Sequence, residues 1–365
     1  MIGFAIVLIM FLCTMVGMRV HTFLHPPANY TEVVSDLSAP NQPERAVELG
    51  LYIQNIYRFE AEHNTFDSEG WVWLKFSPWV YRHMKSRHLE PSALIGFLNL
   101  VDRYDFSLIP ASSAPILMPD GRYYQRYRYS GHFYVDDLDF RMYPFQTISL
   151  PIILQLQAQS INDDATPIDL ILDRRDSSIG PFIDISSYET RGFTIKGFST
   201  HWMSRMGNDL RDPEGSASEM RMEVHYQKAL NSTFLKLILP LLTVMLISLF
   251  SPSIASHGWD VRIGIPPTSI LTLIFLQQTY HEHIPDFQYL TFLDSVYNIC
   301  FFINLTLFGL FLWGANAYHA ARPSERREVT EAIDRVDFRF QIALSALLIF
   351  GTLFNWMAHL KHWGG

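Results

Sequence analysis

The chain predicts an α+β membrane protein, with a β-sandwich domain followed by a four-helix transmembrane bundle. Two observations predict it. The 365 residues change character near Tyr226 to Asn231, mixed and charged before that point and dominated by apolar runs after it. Alternating, aromatic-rich segments fill the first part, and four stretches near or above the roughly 20 residues that span a bilayer fill the second. A chain of this length favours about two domains, here residues 26–230 and 231–365.

The opening segment MIGFAIVLIMFLCTMVGM, followed by Arg19, carries the apolar core of a secretory signal over residues 1–25, with a retained membrane anchor as the alternative. Either one delivers residues 26–230 to the extracytoplasmic side. Both cysteines, Cys13 and Cys300, sit inside apolar stretches, which excludes a disulfide framework for the polar part and any paired-cysteine metal motif. A net charge of -8 argues against nucleic acid as a partner.

The polar part reads as strands. RAVELGLYIQNIYRF, GWVWLKF, RYYQRYRYSGHFYV, ISLPIILQLQ, GFTIKGFSTHW and MRMEVHYQ alternate and are enriched in aromatic and β-branched residues. The turn clusters PDG, NDDATP and RDPEGS separate them. Many short strands so spaced predict a sandwich or barrel. PSALIGFLNLVDRY is the exception, because its apolar residues recur at helical spacing. No catalytic constellation, nucleophile motif or phosphate loop is present, so no enzyme activity and no cofactor are expected.

The apolar part predicts spans over Ser232–Phe250, Ile263–Tyr280, Tyr289–Ala317 and Phe338–His359, with Trp313, Trp356 and Trp363 near their ends. The short, arginine-rich RPSERREVTEAIDRVDFR between the third and fourth spans is the cytoplasmic candidate. An even number of spans then places the β part and the C-terminus on the same outer side.

The second span is unusual. On a helix, Gly264, Thr268, Leu271, Phe275, Gln278 and Glu282 fall on one stripe. Lipid cannot satisfy such a stripe, so it faces protein or a water-filled cavity; Thr and Gln bonding between helices is the plainer reading. Pro266 and Pro267 are tolerated if the helix begins between Arg262 and Gly264, where the missing N–H groups are orphans anyway; a kink is the alternative. Asp260 and Glu282 flank the span, and Arg262 lies close enough in sequence to pair with Asp260. In YHEH, His281 and His283 stand at the opposite end, where histidines can sense protons or bind a transition metal, or simply be solvated.

Other candidates lie in the polar part. Trp71, Trp73 and Lys75 share one face of a strand, and Tyr127 and Tyr129 share a face of another, with Arg126 and Arg128 opposite. Trp202 lies in the last strand hairpin. Aromatic cages suit organic cations, although strand aromatics more often pack. Lys228, just before the first span, reads as a snorkelling interfacial lysine or as a coupling residue.

From about Val47 onward the chain resembles the pentameric ligand-gated ion channels, the Cys-loop receptor superfamily, in its bacterial branch. DFRMYPFQTISL resembles the signature loop, LILPLLTVMLIS the first channel helix, VRIGIPPTSILTLIFLQ the pore-lining helix, and IPDFQYLTFLD the linker and start of the third helix. The chain departs from the family pattern at several points. Asp136 and Leu150 stand where animal members have their two cysteines, Gln146 and Ile148 replace the usual Asp and Gln, and the usual Trp-x-Pro motif is missing.

The resemblance implies a homopentamer in the bacterial inner membrane, around a central pore for monovalent cations, opened by an unknown small-molecule agonist or by protons. Gly264, Thr268, Leu271, Phe275 and Gln278 would line the pore, with Leu271 as a hydrophobic gate that closes by dewetting. Asp260 and Glu282 would form acidic rings that favour cations. Lys228 would meet Glu60, Glu62 and Asp67 and the linker at Pro285 to couple receptor to pore. Trp71, Trp73, Tyr127, Tyr129 and Trp202 would contribute to an agonist pocket between subunits. A non-conducting membrane sensor or scaffold that keeps the receptor fold is the alternative.

Overall fold

The computed structural model describes residues 33–36, 43–102, 105–136, 138–157, 168–203, 214–229, 233–255, 258–282, 284–285 and 289–360. The expectations for the N-terminal segment, His283 and Trp363 lie outside them. The chain forms two compact units, one of Ala28–Leu138 with Thr147–Gln227 and one of Lys228–Gly365 with Asp139–Gln146.

The first unit is a β-sandwich. In chain order its strands are β1 (Val33–Asp36), β2 (Ala46–Glu60), β3 (Thr65–Phe76), β4 (Ile95–Phe97), β5 (Ser107–Pro110), β6 (Ile116–Leu117), β7 (Tyr123–Tyr134), β8 (Thr147–Leu156), β9 (Asp169–Leu172), β10 (Ser178–Phe182), β11 (Tyr188–Met203) and β12 (Glu214–Lys228). One sheet runs β1-β11-β12-β8-β4; the other runs β10-β2-β3-β7-β5, with β6 on β7 and β9 on β2. Strand alternation turns Phe66, Val72, Leu74 and Phe76 inward from one sheet, and Ile148, Leu150, Ile152 and Leu154 are buried on the other. Phe97 of β4 bridges the layers, its ring 5.5 Å from Tyr129 and 5.9 Å from Phe133 of β7. Asp136, at one family cysteine position, pairs with Arg221 at 3.1 Å, while Leu150, at the other, is core.

One local expectation is corrected here. Residues 91–102 are not a helix: Pro91–Leu94 make a single 3₁₀ turn, and Ile95–Phe97 pair with Leu154–Leu156 of β8. Ladder hydrogen bonds and the aromatic contacts of Phe97 override the helical spacing. A helix stands earlier instead, α1 (Pro78–Ser86). Ser77 caps it, its hydroxyl accepting from the Val80 N–H, and Pro78 occupies the first turn.

Among the described residues, the second unit holds four helices long and apolar enough to cross a membrane. They are α2 (Leu239–Phe250, entered through a π-helical turn Phe234–Ile238), α3 (Trp259–His281), α4 (Phe292–Ala320) and α5 (Arg326–Leu360). Thr291 and Asp294 form a reciprocal capping box at the start of α4. The arginine-rich segment is not a loop. Its residues from Arg326 onward open α5, whose 35 residues span about 52 Å, well beyond a bilayer's hydrocarbon core. A multi-pass membrane protein follows from these four helices.

Candidate functional site

The sequence singles out α3, which buries one side and leaves the predicted stripe exposed together with Val261, Pro267, Ile274 and Thr279. Trp259, Arg262, Pro266, Ser269, Leu273 and Tyr280 are buried, at steps of three, four and seven. Every residue of the predicted stripe, Gly264, Thr268, Leu271, Phe275, Gln278 and Glu282, is exposed on the protomer, as is Asp260. Thr268 and Thr272 donate their hydroxyls to the carbonyls of Gly264 and Thr268. Threonines so satisfied need no water, so the polar demand of the stripe rests on Gln278 and Glu282, with Asp260 exposed at the other end of the helix.

The prolines are not in the first turn. The helix begins at Trp259, so Pro266 and Pro267 lie inside it. Their missing N–H groups leave the carbonyls of Arg262 and Ile263 without the usual helical donor. Trp259 makes the earlier start possible. It is buried against Ala315 and Ile333, and Gly314 of α4 leaves room for its indole, 3.0 Å from where a Cβ would stand.

Arg262 does not pair with Asp260. Its side chain is 0% exposed and forms an ion pair with Asp337 of α5, itself 3% exposed. One guanidinium nitrogen also lies 3.4 Å from the Pro252 carbonyl, and the group sits 4.6 Å from the Phe311 ring and 5.4 Å from that of Trp259. The physical reason is helical geometry: residues two apart project to nearly opposite sides, and only one side of α3 faces the bundle. Nε and Nη1 of Arg262 have no partner among the described residues, so Asp337 is the counter-charge that makes burial tolerable. Asp337 is one residue before the predicted fourth span, the last of the run Glu325, Glu328, Glu331, Asp334 and Asp337, and its place against the apolar stretch is the signal that points to it.

At the other end of α3, aromatic rings stack in series. Tyr143 of the signature loop lies 5.8 Å from Tyr280, and Tyr280 lies 5.6 Å from Tyr297. The Tyr280 hydroxyl donates to Asp294, and His281 Nε2 lies 3.1 Å from the same carboxylate. His281 is thus engaged with α4. Lys228 Nζ donates to the Tyr143 hydroxyl at 2.9 Å and lies 4.3 Å from the ring centroid. Burial, then the charge of Lys236, lowers Lys228 to about 8, below the ordinary lysine value of 10.5, although the Tyr143 ring favours its charged form. Gln146, where the family usually has Asp, is buried with both amide atoms unpartnered among the described residues.

In the sandwich unit, Asp67 is held by Arg58 at 2.7 Å and by His132 at 2.6 Å, two partners not foreseen from sequence. Glu60 closes β2 and Glu62 stands in the following turn. Pro285 follows the end of α3.

Of the aromatic candidates, Trp71 and Trp73 do not share a cage with Tyr127 and Tyr129 within a protomer. Trp71 pairs across the ladder with Arg128 and Trp73 with Arg126, whereas Tyr127 pairs with Val72. Paired residues share a side, so the two tryptophans and the two tyrosines lie on opposite faces of the sheet. Tyr129 is fully buried and its hydroxyl lies 3.2 Å from that of Ser68. Trp73 lies flat over Gly50, where a Cβ would come within 2.3 Å of the ring, and donates to Asp173 at 3.0 Å. Lys75 reaches the same carboxylate at 2.7 Å. Burial pulls Asp173 upward, but the hydrogen bonds from Lys75 and Trp73 outweigh it and leave it below the usual carboxylate value. Trp71 is only partly buried, with Arg126 stacked 4.4 Å from its ring. Trp202 lies on the backbone of β11.

A β-sandwich followed by four helices long and apolar enough to cross a membrane matches the fold of the pentameric ligand-gated channels. No protein-family model matches the chain. Over 288 residues, 74% of this chain and 73% of the relative, it is 23% identical to a proton-gated ion channel of Gloeobacter violaceus.

Proposed function

We propose that this protein is a ligand-gated ion channel of the bacterial inner membrane, assembled from five identical subunits, with residues 26–230 as its periplasmic receptor. The observation that carries this reading is the exposed stripe of α3, Gly264 to Glu282, which satisfies the apolar and polar demands of a pore wall but not those of lipid. Five copies turning that stripe inward form a water path closed at Leu271. Asp260 and Glu282, exposed at its two ends, supply carboxylate rings that concentrate cations and repel anions. Similarity to a proton-gated channel makes acidification the first stimulus to test.

The test is the full chain reconstituted in planar bilayers, with acid steps and small organic cations applied on the receptor side in asymmetric salt. Cation currents are expected. Neutralising both acids, Asp260→Asn with Glu282→Gln, should move the reversal potential toward that of anions; unchanged selectivity in the double variant sinks the acidic-ring assignment. Intact oligomers that pass no current under any stimulus favour a non-conducting sensor, a reading that the two prolines inside α3 bring forward.

A further inference from the structure

We propose that Asp337, on the fourth span, is a positioning residue for charge selectivity: it holds the Arg262 guanidinium inside the protomer, so that Asp260, and not Arg262, presents its charge at that end of the pore helix. The consequence for permeation rests on the channel reading; the placement of Arg262 does not.

Asp260 and Arg262 are two residues apart on α3, and five copies of each would bring five negative and five positive charges to one mouth. If both sets faced water, the mouth would carry no net charge and could not select by sign. The structure separates them. Asp260 is exposed, whereas Arg262 is enclosed by its own helix, by the Ser251–Ser253 turn through Pro252, by Phe311 of α4 and by Asp337 of α5. Asp337 is the only carboxylate in ion-pair contact with it among the described residues; Asp334, one turn earlier, is exposed. Stability alone does not call for this arrangement, because apolar residues of the same volume commonly serve as well as a buried ion pair. The pair instead removes a positive charge from the vicinity of Asp260. With Asp337 neutral, Arg262 has no counter-charge, and its long side chain lowers its energy by swinging toward water.

The experiment uses the full chain in lipid vesicles and bilayers, with Asp337→Asn, Arg262→Gln, the double variant, and Asp334→Asn as control. The first readout is labelling by phenylglyoxal, an arginine-specific reagent, mapped by peptide mass spectrometry. Arg262 should be protected in the parent and in Asp334→Asn, and labelled several-fold faster in Asp337→Asn. The second is the reversal potential in asymmetric sodium chloride. Asp337→Asn should lower the cation-to-anion permeability ratio several-fold, the double variant should restore it, and Arg262→Gln alone should leave it at the parent value. A merely structural role would reduce assembled protein in Asp337→Asn without moving the ratio per open channel. Ready labelling of Arg262 in the parent, or a raised ratio in Arg262→Gln alone, overturns the proposal even if Asp337→Asn does not assemble. If the parent passes no current, the channel reading fails while the labelling still decides where Arg262 sits.

Discussion

Replacing Leu271 by serine tests whether the pore closes by excluding water. Leu271 is 54% exposed on the protomer, and fully burying a leucine side chain contributes about 1.5–3 kcal/mol. A closed ring that withdraws this exposed half from water therefore gains about 0.8–1.6 kcal/mol per subunit, or roughly 4–8 kcal/mol over five. If only a quarter of that separates the closed from the open state, losing it shifts the equilibrium by about 1–2 kcal/mol, a factor of roughly 5–30. Leu271→Ser should lower the stimulus needed for half-maximal current by that factor, or leave a standing leak. Leu271→Ala, which keeps a methyl group, should do the same to a smaller degree. The assay is macroscopic current against stimulus strength in reconstituted membranes, with oligomer content checked in parallel. Threshold and resting leak equal to the parent's, in an assembled protein, refute a hydrophobic gate at this ring.

Phe275, 61% exposed one turn away, is the competing constriction, and a larger shift in Phe275→Ala than in Leu271→Ala transfers the gate to it. Native mass measurement in mild detergent should give five copies; a monodisperse monomer or dimer removes the pore. Lys228, held at about 8 against an ordinary 10.5, binds its proton less readily folded than unfolded, so the unfolded state carries the extra proton between those values. Its cost to the fold is therefore present below pH 8 and relieved as pH rises to 10.5. The stability difference between parent and Lys228→Met should move in the parent's favour across that window in thermal melts, and a constant difference contradicts the assignment. Trp73→Phe removes a hydrogen bond to the Asp173 carboxylate and should destabilise the sandwich by about 1.5–3 kcal/mol. Because Asp173 lies below its ordinary 3.8, the stabilisation it provides is present above that pH and lost as pH falls through its folded value, so the Trp73→Phe deficit should shrink in acid.

Periodicity made most of the architecture legible. Six alternating segments became β2, β3, β7, β8, β11 and β12, and four apolar runs became the four long helices. What periodicity could not supply was long-range pairing. Ile95–Phe97 carry helical spacing, yet the β8 edge claims them. The cap signal of α1, Ser77 before Pro78, was present but followed directly on a strongly alternating strand. Side and register also escaped the sequence: each aromatic pair shares a strand face, but which face turns inward is set by the sandwich, and it placed Trp73 and Tyr129 on opposite sides. In α3 the stripe followed from spacing alone. The helix start did not, because a buried Trp259 and Arg262 extend it a turn earlier, and Arg262's partner lies 75 residues away.

The two prolines of α3 sit directly after that anchored turn. Below them, Arg262 ties the helix to α5 and Trp259 wedges it against α4. At the prolines the carbonyls of Arg262 and Ile263 lack helical donors, so the rod is softest against bending just above its fixed foot. A tilt imposed from the Tyr280 end is then absorbed at this joint rather than transmitted to Asp260. In the channel proposed above, α3 would act as a lever with a planted base: its upper length would swing at Leu271 while the carboxylates at its foot keep their spacing, so that the choice of ion would stay constant from the first moment of opening to full conductance.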